Sequence, residues 1–219
     1  MSYKAYRDRV LAQGGSVSES IINTTKRQVV NYILDSPSLR YVYLNMFNTI
    51  EVPCIVSNVE TYEERRFLFL PDMNVHTGDY ISYQDMNYLA TDMTLVDGYT
   101  ELFGELCSID FPIAVKENRV KVGVDIFGKP EYRIDKIFIS KPAVMTEKTY
   151  SQVDNSPMPL PEGTVIIKLP YSTDENEIPK INVVVDIYNS QYKITAVNYQ
   201  KVINNYGYIQ VQLQRMPNS

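Results

Sequence analysis

The chain carries one hairpin-like stretch twice. The segment "VDIFGKPEYRI" at residues 124–134 returns as "VDIYNSQYKI" at residues 185–194, and a related pattern lies around residues 80–90. Each copy has an aliphatic strand, an aromatic residue, a turn, a tyrosine and an aliphatic residue. Short strands that recur around similar turns are typical of all-β architectures, so the repeat predicts a duplicated β unit.

Three hairpins share this scheme, and two aromatic residues bound each turn. They span residues 83–88, 127–132 and 188–192, with the pairs Tyr83/Tyr88, Phe127/Tyr132 and Tyr188/Tyr192. Aromatic residues that pack across two strands stabilise a sheet by about 0.2 to 1 kcal/mol per pair. We therefore expect the aromatic pairs to fix the register of the hairpins.

The hydrophobic period changes near residue 48. Before it, apolar residues recur at three-to-four spacing, and "SVSE" at residues 16–19 has the form of a capping box at a helix start. After it, apolar and polar residues alternate, and the Val, Ile, Tyr and Thr content suits a pleated surface. The fold class expected is mainly β, with two small β-barrel or sandwich units and repeated hairpins, preceded by a short N-terminal helical segment.

The predicted domain organisation has three parts. An N-terminal helical segment covers residues 1–47, a first β unit covers 48–116, and a second β unit covers 117–219. The second unit contains a stretch at 141–163 with prolines at positions 142, 157, 159 and 161 and little apolar periodicity. That stretch is predicted to be a long loop or an extended arm, lying against a neighbouring subunit.

Charge is distributed unevenly along the chain. Residues 1–45 hold six basic and three acidic side chains, a net charge of +3, whereas the remaining 15 basic and 23 acidic residues give −8. Such asymmetry favours surfaces that meet partners of opposite sign, although chance clustering on a soluble surface gives the same numbers.

The two cysteines and the hydropathy pattern bear on the compartment. Cys54 and Cys107 lie in apolar or strand-like segments without CxxC spacing, which favours buried thiols over a disulfide. No apolar run has the length of a membrane span, and "MSYKAYRDRV" lacks the apolar core of a signal peptide. We expect no membrane association.

The sequence offers few groups for catalysis. His76 is the one histidine, and its loop setting is more typical of a solvated side chain than of a catalytic base. GxSxG, P-loop and GxGxxG motifs are absent. The expectation is a protein that is not an enzyme, with no catalytic residue, no cofactor and no metal.

An acidic loop at Asp174, Glu175 and Glu177 is the strongest carboxylate cluster. The nearest basic residues in sequence are Lys168 and Lys180, and the spacing does not match a calcium-binding EF-hand. The acidic β region also lacks the interleaved basic and aromatic residues that bind nucleic acid. The loop is therefore a candidate surface for a role other than calcium or nucleic-acid binding.

Three segments resemble the β-barrel core of tailed-bacteriophage neck proteins, which are the head-completion, adaptor and stopper proteins between portal and tail. The segments are "TGDYISYQDMNYLATDM", "VGVDIFGKPEYRIDKI" and "YTELFGELCSIDFPI". The likeness covers about two-thirds of the chain as a pattern. The chain departs from the pattern by adding a helical N-terminus and a second β unit.

The resemblance implies a non-enzymatic ring of identical copies in the virion, assembled in the host bacterial cytoplasm. Its partners would be copies of itself, the portal protein and other neck or tail proteins, with double-stranded DNA passing through without specific binding. An acidic channel wall repels phosphate, so DNA can slide along it. The loop of Asp174, Glu175 and Glu177 is then expected to face the channel or the tail side.

The basic helical N-terminus is the candidate surface for docking onto the portal. Arg7, Arg9, Lys26 and Arg27 can pair with carboxylates of a partner through charge-assisted hydrogen bonds. Two other readings remain open at this point. One is a tail-side subunit, such as a tail terminator or a baseplate or hub protein, and the other is a carbohydrate- or ligand-binding β-sandwich.

Overall fold

The chain divides into two compact units, residues 1–106 and 107–219. The computed structural model describes residues 3–12, 16–45, 51–59, 61, 63–96, 99–124, 126–147 and 164–216. Within this described part, no helix is both long and apolar enough to cross a membrane.

The first unit contains two helices and six strands. They are α1 (Tyr3–Ala12), α2 (Val17–Leu34), β1 (Leu39–Leu44), β2 (Glu51–Asn58), β3 (Glu64–Phe69), β4 (Tyr80–Tyr83), β5 (Met86–Val96) and β6 (Tyr99–Leu106). The strands form a closed antiparallel barrel in the order β1-β2-β3-β6-β5-β4, and β4 pairs with β1 to complete it.

The second unit contains seven strands and a short 3₁₀ helix. They are β7 (Ile109–Val124), β8 (Pro130–Glu147), β9 (Thr164–Pro170), the 3₁₀ helix Glu175–Glu177, β10 (Val184–Ile187), β11 (Ser190–Asn198), β12 (Val202–Ile203) and β13 (Tyr206–Arg215). The sheet order is β10-β11-β13-β9-β8-β7, with β12 paired to β13. The expected mainly β class with two barrel-like sheets is confirmed.

The two units use the same strand order. The order is β1-β2-β3-β6-β5-β4 in the first unit and β7-β8-β9-β13-β11-β10 in the second. In each unit the first three strands are followed by the last long strand and then by the two strands of a hairpin. The six-strand plan is therefore built twice along the chain. The two copies of the opening repeat, at 124–134 and 185–194, both lie in the second unit, so they are not the equivalent parts of this duplication. β7 and β8 are much longer than their counterparts β1 and β2.

The corresponding hairpins agree in detail. β4–β5 and β10–β11 turn through two left-handed residues, Gln84–Asp85 and Tyr188–Asn189, as a type I′ turn requires. Each second strand then carries a bulge, after Ala90 and after Ile194. At both bulges a threonine hydroxyl donates a hydrogen bond to a carbonyl of the adjacent strand: Thr91 to Phe103 at 3.5 Å and Thr195 to Gln212 at 3.1 Å.

Each unit has its own core of alternating inward-facing side chains. The first core includes Val42, Cys54, Phe67, Phe69 and Tyr88, all fully buried, and the Phe67 and Tyr88 rings meet edge to face at 5.6 Å. The second core is mostly aliphatic. Its fully buried members include Phe111, Ala143, Ile167, Val211 and Leu213.

Helix α2 starts and ends where the sequence predicts. The Ser16 hydroxyl accepts a hydrogen bond from the Glu19 amide, and the Glu19 carboxylate accepts one from the Ser16 amide, so the predicted capping box is confirmed. The helix ends at Leu34, just before Pro37. Of its apolar stripe, Ile33 is fully buried but Ile21 and Ile22 are more than half exposed.

Three predicted boundaries need correction. Residues 39–44 of the predicted helical segment form strand β1, because "LRYVYL" pairs with β2 as the first strand of the barrel. The predicted boundary at 116/117 falls inside β7, whereas the units separate after Leu106. Residues 141–147 of the predicted loop end strand β8, with Pro142 opposite Asp110. Residues 148–163 lie outside the described residues.

The predicted aromatic pairing is also wrong. Tyr88 lies opposite Ile81, and Tyr192 lies opposite Val185. A two-residue turn places residues three apart opposite each other, so tyrosines at positions 83 and 88 cannot face one another. The hairpin at 127–132 is the tip of β7–β8, which corresponds to β1–β2 rather than to the other two hairpins.

Gly104 lies where the barrel core leaves no free space for a Cβ atom. A Cβ there would lie 2.8 Å from Cε2 of Phe67 and 3.1 Å from Cβ of Tyr88. Overpacking a filled core typically costs about 1–3 kcal/mol, so Gly104→Ala should lower the free energy of unfolding by that amount in urea denaturation. The matched control is Gly123→Ala in β7, where the nearest atom is 4.0 Å away. Equal stability of the two variants would contradict the packing described for Phe67.

Candidate functional site

The predicted docking residues lie on the two helices, and one of them is already paired. The Lys26 ammonium forms a salt bridge with the Asp72 carboxylate, which follows β3 in the barrel. Arg7 and Arg27 are exposed, on α1 and α2 respectively. Arg9 lies on α1, and its side chain is outside the described residues. Asp72 therefore offsets one of the four positive charges that were expected to pair with a partner.

The acidic loop is held by contacts within the second unit. The Glu177 carboxylate accepts hydrogen bonds from the Lys141 ammonium and from the Ser172 hydroxyl, both at 2.7 Å. The Asp174 carboxylate accepts one from the Asn176 amide at 2.9 Å and caps the short 3₁₀ helix. Glu175 is exposed. The loop thus presents Asp174 and Glu175 to solvent, while Glu177 anchors it.

The Glu177 anchor predicts a dependence of stability on pH. The hydrogen bond from Lys141, with that from Ser172, lowers the pKa of the Glu177 carboxyl. A lowered folded-state pKa adds stability above the unfolded pKa, and this contribution is lost as pH falls through the folded value. Glu177→Gln should therefore lose less stability than the parent between neutral pH and about pH 3. Urea unfolding at both pH values measures this, with Glu175→Gln as the exposed control; an unchanged pH profile for Glu177→Gln would contradict the anchor.

Among the described residues, no group of three or more His, Cys, Asp or Glu side chains is placed to hold a metal ion. His76 is half-buried in the loop before β4, and its backbone amide donates to the Asp79 carboxylate at 2.8 Å. This bond shapes the tight turn that leads into the β4–β5 hairpin.

The two cysteines are not joined by a disulfide. Cys54 is fully buried in the first core, and burial raises the pKa of its thiol to about 12. Cys107 is half-buried.

Alkylation should therefore discriminate between the two thiols, because the thiolate is the reactive form. Iodoacetamide at about pH 8 is expected to leave Cys54 unmodified in the native protein and to modify both cysteines in urea. Peptide mass spectrometry reports the sites. Modification of Cys54 at the same rate in both states would contradict its place in the core.

A groove of about 360 Å³ runs between α2 and the first barrel. It is lined by Thr25, Gln28, Val29, Tyr32, Leu68 and Tyr99. Its volume lies within the range of small-molecule sites, and two tyrosine rings with an amide suit a neutral polar ligand. The lining side chains carry no formal charge.

The long β7–β8 hairpin forms an exposed arm, here defined as residues 115–138. β8 pairs with β9 only from Val144 onward, so the arm is a two-stranded ribbon. Its described apolar side chains lie largely in solvent: Val120, Val122, Val124, Ile126, Phe127, Tyr132, Ile137 and Phe138 are 42–92% exposed. Sequence reasoning assigned the tip to a repeat hairpin and missed the arm, although two strands of about 16 residues around one turn are its signal.

An acidic face lies on the outside of β3, β5 and β6. Glu64 and Glu105 are directly opposite each other on neighbouring strands, and Asp92 is opposite Phe103. Like charges placed opposite one another destabilise a sheet. Arg66 on the same face pairs with Glu101 at 3.0 Å and stacks over the Phe103 ring. The face is therefore acidic and includes an aromatic ring.

Residues 109–214, just under half of the chain, match the family model of the YomX C-terminal domain. The matched range begins at the first strand of the second unit and ends within its last strand. The family is phage-associated. Comparison with curated proteins and with solved structures gave no match.

Proposed function

We propose that the chain is a structural protein of a tailed-phage particle that forms a ring of identical copies in the neck, between portal and tail. The observation that carries the proposal is the phage-associated domain over residues 109–214, lying in a chain that builds one barrel plan twice. Closed rings need two unlike surfaces that join head to tail. The exposed arm and the acidic face give each copy two such surfaces.

The proposed role is mechanical rather than catalytic. The closed barrel and the second, barrel-like sheet would provide a wall, and the exposed connections would carry the contacts with neighbouring proteins. Residues 48–106 hold two basic and eleven acidic side chains, and seven of the acidic ones are not part of the acidic face. A wall of this sign would let DNA pass without binding, because phosphate and carboxylate repel each other. Asp174 and Glu175 would add to it from the channel or the tail side.

Removal of the protein tests its place in assembly. Phage lacking the gene are expected to produce filled heads and complete tails that remain separate, seen by electron microscopy of lysates. Supplying the protein in trans should restore joined particles. Joined particles without the protein would overturn the neck role, and tails of uncontrolled length would favour the tail-terminator alternative.

A second candidate function is binding of a carbohydrate or another neutral polar ligand. The groove between α2 and the first barrel favours it, since Tyr32 and Tyr99 offer rings for stacking and Gln28 offers an amide. Binding of soluble glycans that is abolished by Tyr32→Ala, in a protein that remains monomeric, would support this function instead of the ring.

A further inference from the structure

The arm has too little support to be stable by itself. A lone two-stranded ribbon is marginally stable in water, and three strands or a packed face are normally needed. Ile137 and Phe138 are adjacent in β8, so their side chains point to opposite faces, yet they are 46% and 43% exposed. Both faces of the arm are thus uncovered at its base. Its ten residues from 115 to 124 give it a length of about 30 Å.

Exposed apolar side chains on both faces mark the arm as an interaction element. Val124 and Tyr132 are more than half exposed, and Phe127 at the tip is 81% exposed. Soluble proteins rarely group large exposed apolar side chains in this way unless the surface binds something. Among the described residues, β7 and β8 pair within the arm only with each other, so their outer edges add backbone groups that a partner can satisfy.

Charge identifies the partner surface. Residues 115–138 contain six basic and four acidic side chains, a net charge of +2 in a chain whose total is −5. The acidic face of the first unit carries four carboxylates, those of Glu64, Asp92, Glu101 and Glu105. Two arginines lie among them: Arg66 pairs with Glu101, and Arg65 lines the same groove as the other three carboxylates. Phe103 lies among them, half-buried and with the Arg66 guanidinium 5.0 Å from the centre of its ring. The two surfaces therefore complement each other in sign and both include an aromatic ring.

We propose that the arm of one copy docks on the acidic face of β3, β5 and β6 of a second copy. The contact joins unlike surfaces, so a pair of copies still has one free arm and one free face for further neighbours, and repetition gives a ring or a filament. The inference rests on the proposed ring function and names the surfaces that build it.

Charge reversal on either surface tests the contact in the full-length chain. The arm variant is Lys121→Glu/Lys129→Glu/Arg133→Glu, and the face variant is Glu64→Lys/Asp92→Lys/Glu105→Lys. Each is expected to weaken self-association roughly tenfold or more in analytical ultracentrifugation, because like charges then meet across the interface. The matched control, Lys180→Glu/Lys193→Glu/Lys201→Glu, reverses three exposed lysines of the second unit outside the arm and should associate like the parent.

Mixing the two variants gives the decisive result. Every arm–face contact between unlike variants again pairs opposite charges, so an equimolar mixture should assemble although each variant alone does not. A contact within one chain cannot be restored in this way, so failure of the mixture to assemble overturns the proposal, as does unchanged association of either variant. If the parent forms rings in that case, the ring function stands and only the arm contact is lost. A parent that stays monomeric overturns both.

Discussion

A variant carrying Arg7→Glu, Arg9→Glu, Lys26→Glu and Arg27→Glu is expected to fold and to fail to attach to filled heads. The substitutions change the charge of the helical segment by eight units, so carboxylates on a portal-type partner would meet repulsion. An exposed ion pair contributes only about 0 to 1 kcal/mol. A ring repeats each contact in every subunit, so the summed loss decides whether docking occurs.

Lys26→Glu also removes the salt bridge with Asp72 inside the first unit. A control is therefore needed that separates the loss of this salt bridge from the loss of the docking charge. The triple variant that retains Lys26 keeps the salt bridge with Asp72 and should show the same attachment defect. Neutralising the acidic loop with Asp174→Asn, Glu175→Gln and Glu177→Gln should leave attachment intact. Normal attachment of the fourfold variant, measured by pull-down of filled heads, would place the docking surface on the β units.

Phe67→Ala is expected to lower the free energy of unfolding of the first unit by about 3–5 kcal/mol, the usual cost of truncating a fully buried phenylalanine. Phe67 has no exposed area, and its ring packs edge to face on Tyr88 in the middle of the closed barrel. The surrounding strands are fixed by hydrogen bonds on both sides, so the cavity cannot collapse fully.

The same substitution at an exposed position provides the control. Phe127→Ala at the tip of the arm, where the ring is 81% exposed, should change the stability of the isolated chain by about 0.5 kcal/mol or less. Urea denaturation followed by circular dichroism compares the two. A loss of less than about 1 kcal/mol for Phe67→Ala would contradict the closed barrel core.

Local patterns predicted the duplication and the helix starts but not the positions of the turns. The capping box at Ser16 and Glu19 depends on four neighbouring residues, so it is readable from the sequence. The turn at Tyr188–Asn189 places a bulky tyrosine at φ 46°, which such residues rarely adopt. Alignment on aromatic residues therefore matched Tyr188 with Tyr83. In the structure, Tyr188 corresponds to Gln84, the first turn residue of the other hairpin.

Sequence patterns could not predict contacts between residues that are far apart in the chain. The acidic loop showed no basic neighbour nearby in sequence, yet Lys141 meets Glu177 from 36 residues away. The 3₁₀ helix packs against β7, which pairs with β8, and Lys141 reaches it from β8. Likewise, the acidic face arises from the register of β3, β5 and β6, which places Glu64 beside Glu105. Such clusters depend on strand pairing, and no local periodicity encodes them.

The location of the protein in the particle tests the central claim most directly. An epitope tag at the C-terminus, detected with gold-labelled antibody on purified particles by electron microscopy, should appear at the head–tail junction. Image averaging of the same junction should show a closed ring of this chain around the DNA channel. Label at the distal tail end, along the tail, or absent from particles would contradict the account.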